Sequence, residues 1–364
     1  MTLSSLQITW WTIISLVGAL HFFLLFPFGI QSMLLQRMTE TERRMVVHRA
    51  ANDYEYMWTI MLMFQMISCI VFSAFSVLTE AWIALDFVFL LPIALFWLRK
   101  HLNDATARKV VDVLLTICGV FGPFLLGCFT SCYFFGNAFR ISDMSDIEGT
   151  FEWVEVSGPS IFGDVRVVVF GLMIMALSRM QANLWLLWKI KEPEIRLWNR
   201  KQLRFNACLF VILFVMAMYA ILAANGYQII GENRCEVVAN KFLYNYLDLP
   251  VALACLLLGV AMICVGIWLG LSPLYTSRPH GGERAAIFHS FMGTILVITS
   301  FFIVVGFNET PFFPSSVDMN SSMTIYNSSA SEDVLRTAVY IFAAIIVFGC
   351  GFAALIRWGV KRSK

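Results

Sequence analysis

The stretch 165-VRVVVFGLMIMALSRMQANLWLLWKIKEPEIRLWNRKQLR-204 decides the fold class. Residues 165–190 form one apolar run, longer than the ~20 residues a helix needs to cross a ~30 Å hydrocarbon layer. Lys189, Lys191, Arg196, Arg200, Lys201 and Arg204 then crowd into a short loop before the next apolar run begins. Positive residues stay on the cytoplasmic side of a membrane, so run and loop together give both a crossing and its direction.

Working outward, the same unit recurs. Apolar runs lie at 9–35, 57–78, 81–98, 111–135, 165–190, 205–224, 247–271, 287–307 and 338–356. The basic residues alternate between the connections. Arg37, Arg43, Arg44 and Arg49 follow the first run, Arg99, Lys100, Arg108 and Lys109 the third, and Arg278 and Arg284 the seventh. Arg357, Lys361, Arg362 and Lys364 follow the last. The opposite side holds only Arg140, Arg166, Arg234, Lys241 and Arg336. The reading is an all-α polytopic membrane protein of nine transmembrane helices, with the N-terminus outside and the C-terminus inside. The first run is too long, and its leading residues too uncharged, for a cleavable signal peptide.

Composition agrees. Hydrophobic residues make up 59% and charged residues 14%, with mean hydropathy +0.75, against roughly 25% charge in soluble domains. The net charge of +2 gives no reason to expect a nucleic-acid partner. Most of the nine cysteines lie within apolar runs and read as small core hydrophobes. Cys132 and Cys235 are the two placed to meet in an oxidising compartment. Asn308, Asn320 and Asn327 head three glycosylation sequons in the outer connection before the last run. They support an alternative reading as a glycosylated eukaryotic multi-pass transporter or receptor.

The polar residues at membrane depth are few. Of five histidines, His48, His101 and His280 fall in cytoplasmic connections, leaving His21 and His289 within runs. Haem in a helical bundle is held by histidine, so this chain is expected to bind no haem itself, and no cluster has metal-ligand spacing. His21 and His289 each read more readily as a hydrogen-bonded structural imidazole than as a ligand. Arg179 sits near the middle of the fifth run, close to Gln181 and Asn183. A guanidinium there needs a carboxylate, an acidic ligand or water; Asp86 and Asp248 are possible partners within the chain. Asp53 and Glu55 stand where the first cytoplasmic loop enters the second helix, and Asp112 where the second such loop enters the fourth. Such acids can take up protons from the cytoplasm, or simply favour the helix N-terminus.

Three segments resemble one family, subunit II of the bacterial cytochrome bd-type quinol oxidases. The first is Thr41-Glu42-Arg43-Arg44, followed by Asp53 and Trp58. The second is GVFGPFLLG at 119–127, with Gly136-Asn137 beyond it. The third is Phe312-Phe313-Pro314-Ser315-Ser316, then Asn320-Ser321-Ser322-Met323-Thr324 and Ser328-Ser329; Gly226-Tyr227 also fits. The resemblance implies a single membrane domain over 1–364. It is divided into a four-helix bundle at about 1–136, a second at 163–307 and a peripheral last helix at 334–360.

The resemblance also implies a bacterial inner-membrane location and a partner, subunit I, that carries the haems and oxidises quinol. This chain would support the complex and contribute to proton conduction, beside lipid, possible small single-helix accessory subunits and a structural quinone. It makes Asp53 a candidate proton entrance and puts Asp112 near a family acid. This sequence departs from the family at Leu25-Phe26-Pro27-Phe28, which has no acid. It departs again at Tyr54-Glu55-Tyr56, where Glu55 stands as a substitute.

Overall fold

Leu25-Phe26-Pro27-Phe28 breaks the first apolar run in two. In the computed structural model, α1 covers Ser5–Phe23 and α2 covers Phe26–Ser32, with Pro27 in the first turn of α2. There its missing N–H costs no helical bond. Residues 5–23, 25–36, 38–72, 83–136, 139–141, 151–153, 163–190, 192–231, 234–272, 281–307, 310–311, 330–344 and 347 are described. Side chains are described except at 21, 23, 48–62, 83–89, 139–141, 151–153, 231, 234 and 281.

Beyond α2 come α3 (Glu40–Val71), α4 (Ile83–His101), α5 (Ala105–Phe135), α6 (Val165–Lys189) and α7 (Pro193–Leu222). Then follow α8 (Lys241–Asp248), α9 (Pro250–Leu271) and α10 (Gly281–Gly306). Residues 332–344 form a further helix, α11. Two short antiparallel hairpins interrupt the helical pattern. β1 (Phe139–Ile141) pairs with β2 (Phe151–Trp153), and β3 (Gly226–Gly231) with β4 (Arg234–Val238). Both lie in connections at one end of the molecule, called here the hairpin end; the arginine-rich connections mark the basic end.

Among the described residues, five helices are long and apolar enough to cross a membrane: α5, α6, α7, α9 and α10. The second, third and ninth runs fall partly outside the described residues. The mostly helical architecture agrees with an all-α membrane protein, and helices are what a chain needs where no water can satisfy its backbone. The exposed surface is apolar to match, with Trp97 66%, Ile212 59%, Val215 61% and Leu257 62% exposed. Apolar surface this extensive needs lipid or a partner to cover it.

The helices begin earlier at the basic end than the apolar runs do. α3 starts at Glu40, capped by Thr39, with Glu42 N–H donating to the Thr39 hydroxyl at 3.3 Å and Thr39 N–H to the Glu42 carboxylate at 2.6 Å. This capping box satisfies two donors that a helix start leaves open. α5 is capped by Asp104 and α7 opens with Pro193. Asp53 and Glu55 therefore lie well inside α3, roughly 20 Å from its start, and not at its mouth. At the hairpin end Asp164 caps α6, accepting from Arg166 N–H at 2.9 Å. Hydrogen bonding from the Arg166 side chain holds the Asp164 carboxyl below the ordinary carboxylate range.

Packing centres on α2, whose seven residues are all buried. It is wedged between α5 and α6 and makes contact with both. The fit is close on the α6 side: a Cβ on Gly29 would stand 2.2 Å from the Ser178 carbonyl oxygen, and the Ser178 hydroxyl donates to Leu25 O at 2.8 Å. α1 leans on α10, where Trp11 Nε1 donates to Phe302 O at 3.0 Å. On the other side Trp10 Nε1 reaches Leu335 O of α11 at 2.8 Å. α8 is tied down by Asn245, whose amide donates to Val304 O at 3.0 Å and to the Thr310 hydroxyl at 2.7 Å. Cys132 and Cys235 are not joined in a disulfide. The three sequons lie outside the described residues.

α9 and α10 also approach closely. A Cβ on Gly293 would stand 2.5 Å from the Gly259 carbonyl oxygen, and one on Gly259 would stand 2.8 Å from that of Gly293. Small residues let membrane helices approach this closely. Gly293→Val is expected to cost about 1–3 kcal/mol, lowering the melting temperature of the purified protein. Gly163→Ala, where a Cβ meets nothing within 4 Å, should leave it unchanged and serves as the control.

Candidate functional site

The first turn of α3 places Glu40, Arg43 and Arg44 on one face, since positions three and four apart are neighbours on a helix. Arg99, in the last turn of α4, comes to the same place, as does Asp112 of α5. Asp112 is 0% and Arg99 4% exposed. Arg43 Nη1 donates to Asp112 Oδ2 at 3.2 Å and Arg99 Nη2 to the same oxygen at 3.1 Å, while Arg99 Nε donates to Oδ1. Arg43 also reaches Met38 O at 3.2 Å through Nη2.

Glu40 forms an outer layer, within 3.3 Å of Arg44 and 3.6 Å of Arg43, Arg99 and Arg108. Four guanidiniums thus surround two carboxylates, tying together three helices. Asp112 stands two turns inside α5, whose N-cap is Asp104. What holds it is arginine, and the helix N-terminus is too far away to account for its position.

A polar step leads inward from this knot. The Thr116 hydroxyl lies 2.8 Å from Asp112 O and 3.2 Å from Gln31 O. Gln31 is fully buried in α2, and both atoms of its side-chain amide meet no partner among the described residues. Buried amides of this kind are usually satisfied by ordered water.

The second half of the chain has its own charge pair at the basic end. Arg196 of α7 donates through Nη2 to Glu283 of α10, which is 7% exposed, and through Nη1 to Ile190 O at 3.5 Å. Deeper in, Gln181 Nε2 donates to the Thr294 hydroxyl at 3.1 Å. The Asn199 amide donates to Asn183 O at 2.6 Å, and the Asn183 amide to Arg179 O at 2.8 Å.

Arg179 itself is half-buried, and its Nε has no hydrogen-bond partner. Among the described residues no carboxylate comes within 4.0 Å of it. The side chain of Asp86 lies outside the described residues, and no pair joins Arg179 to Asp248. A guanidinium in mid-span costs about 2.5–3.5 kcal/mol on insertion scales.

The remaining sequence candidates fall as follows. Asp53 and Glu55 are in the α3 backbone and His21 in that of α1, with their side chains outside the described residues. His289 lies in α10, its Nδ1 2.7 Å from Ala285 O, a bond within its own helix. No group of three His, Cys, Asp or Glu among the described residues is arranged to hold a metal ion. Arg43, Arg99 and Gln31 were not singled out by sequence reasoning. Arg99 had counted only as topological charge, and Arg43 as topological charge and as part of the Thr41–Arg44 motif. The available signal was an acid inside one run facing basic residues at the ends of two others.

A polytopic helical membrane protein with a buried arginine–carboxylate knot at its basic end is therefore the class that fold and site define. The model of the family described as cytochrome bd terminal oxidase subunit II matches residues 6–358. The chain belongs to that family, whose members are bacterial inner-membrane components of a haem-containing terminal oxidase complex. A solved structure of the bd oxidase from Geobacillus thermodenitrificans is similar in fold. Its TM-score is 0.66 at 12% identity, covering 97% of this chain and 98% of that one. No curated protein matches the chain in sequence. Family membership removes the support for a eukaryotic receptor or transporter.

The knot yields a specific expectation. Arg99→Leu leaves the Asp112 carboxylate buried with only Arg43 against it, a change that typically costs about 3–5 kcal/mol. The double variant Arg99→Leu/Asp112→Leu removes both buried charges and should recover more than half of that loss. Thermal melting of the purified complex reads both; a double variant no more stable than the single one would count against the pairing.

Proposed function

We propose that this chain is the haem-free subunit II of a quinol:oxygen oxidoreductase. It pairs in the bacterial inner membrane with a haem-bearing subunit I. It stabilises that complex and helps conduct protons from the cytoplasm toward the site of oxygen reduction. The nine-helix topology, N-out and C-in, with two four-helix bundles and a peripheral last helix, belongs to the same reading. The alternation of basic connections supports it. The partner's haems supply the electron-transfer and oxygen chemistry. The small number of histidines at membrane depth supports a haem-free chain; among those described, His289 Nδ1 bonds within its own helix and His101 is at the basic end of α4 against Trp97.

The observation that supports the proton role is Gln31, fully buried below the knot with both side-chain amide atoms unpartnered among the described residues; Thr116 joins it to Asp112 only through backbone carbonyls. With guanidinium hydrogen bonds to both carboxylate oxygens, Asp112 orders the cytoplasmic mouth. Asp53 and Glu55, farther along α3, are the acids that take up protons. Gln31 holds water beneath the knot with its two unpaired amide atoms. Lipid, small single-helix subunits and a structural quinone complete the proposed assembly.

Asp53→Asn/Glu55→Gln, tested in the assembled complex, should slow oxygen consumption by roughly two orders of magnitude with haem content unchanged. Gln31→Leu should slow it by about three- to tenfold, the worth of one hydrogen bond. Unaltered turnover in the double variant would end the proton role of α3.

A further inference from the structure

Between α6 and α7 runs a groove that is mostly apolar, with Arg166 among its lining residues at the hairpin end. At the hairpin end it opens as a cleft of about 340 Å³, running from Val165 to Ala220. Farther along α6, Val168, Leu172, Met175 and Arg179 form a half-buried stripe at helical spacing. On α7, Ile212 is 59% exposed. Past Arg179 the helix sinks into the bundle, and residues 180–187 are all buried.

Three observations place an acceptor from outside the chain at this point. The guanidinium has no carboxylate within 4.0 Å, and its Nε no hydrogen-bond partner, among the described residues. Helical side chains lean toward the helix N-terminus, which directs Arg179 toward the hairpin end. That end is roughly 20 Å away along α6, so the charge does not reach the nearer interface. The seam beside it has further unspent capacity. The Asn199–Asn183 bond sets the register of α6 against α7. Two turns along α7 from Asn199, and so near the turn that holds Arg179, stands Asn206. It is fully buried, with both amide atoms unpaired.

A guanidinium is matched by a planar oxyanion, carboxylate or phosphate. Lipid phosphates lie at the interfaces; a side-chain carboxylate on a spanning helix can stand at mid-depth. We propose that the α6/α7 groove seats a transmembrane helix of another chain in the assembled complex, and that one Asp or Glu on that helix pairs with Arg179.

The test uses the full complex in its native membrane, with the photo-crosslinking residue benzoylphenylalanine replacing Met175. The expected adduct is a spanning segment of another chain with an acid within one turn of the linked residue. Arg179→Glu should cut the adduct yield by about tenfold or more. Reversing the charge of that acid to Arg should restore it, and Arg179→Lys should keep most of it. Assembly of each variant is checked by the complex's haem content. The proposal is overturned if the adducts are with lipid alone, if the linked segment has no acid, or if Arg179→Glu leaves the yield unchanged in an intact complex.

Discussion

Hydrocarbon offers a membrane span no hydrogen-bond partners, so each charge there needs protein, a ligand or trapped water around it. Asp112 satisfies that requirement with arginines from two other helices, and much of the first half of the molecule follows from it. The Thr39 cap fixes where α3 begins, and hence where Arg43 stands. The end of α4 delivers Arg99, and the capped start of α5 sets the depth of Asp112. A buried ion pair gains little over an apolar core of the same shape, but losing one member leaves the other stranded. The knot is therefore a condition on how α3, α4 and α5 meet. It selects one arrangement of helices whose apolar faces alone would tolerate several.

The same constraint explains which parts of the structure were legible in the sequence. α6 was readable almost to the residue, because its ends coincide with a change from apolar to charged. α3, α5 and α7 were not, because they run through the basic connections before entering the apolar layer. Hydropathy registers where a helix meets lipid; caps such as Thr39 and Asp104 register where it starts. Reading the first signal alone puts Asp53 and Glu55 at a helix mouth, when α3 is already well under way. The hairpins at 139–153 and 226–238 were missed because short strands in polar connections have no periodicity to read. The knot was half-legible: its charges were all visible, but their convergence depends on the packing of three separate helices.

The lack of acid at Leu25–Phe28 has a structural counterpart. α2 is buried at all seven of its positions, and its Phe28 ring fills the space over Gly122 of α5. Close packing here replaces polar chemistry: the segment joins α5 to α6, and its one polar side chain with unspent hydrogen bonds is Gln31. A proton route on this side of the molecule therefore depends on amide and hydroxyl groups, which hold water without taking a charge. Protonatable acids are left to α3. Those acids, Asp53 and Glu55, stand roughly 20 Å along α3 from its start, deeper than the four arginines that shape the field at the basic end.

Arg179 is the exception that gives this arrangement its meaning. Asp112 is met from two sides, Glu283 is met by Arg196, and the buried amides are neutral groups that water can satisfy. Among the described residues, Arg179 puts a charge at mid-depth on a half-buried face with no carboxylate within 4.0 Å. An unmatched guanidinium lowers the stability of an isolated subunit and regains the loss when an anion arrives. The cost of the unpaired state then favours assembly over the separate chain, and it does so at one depth and on one face.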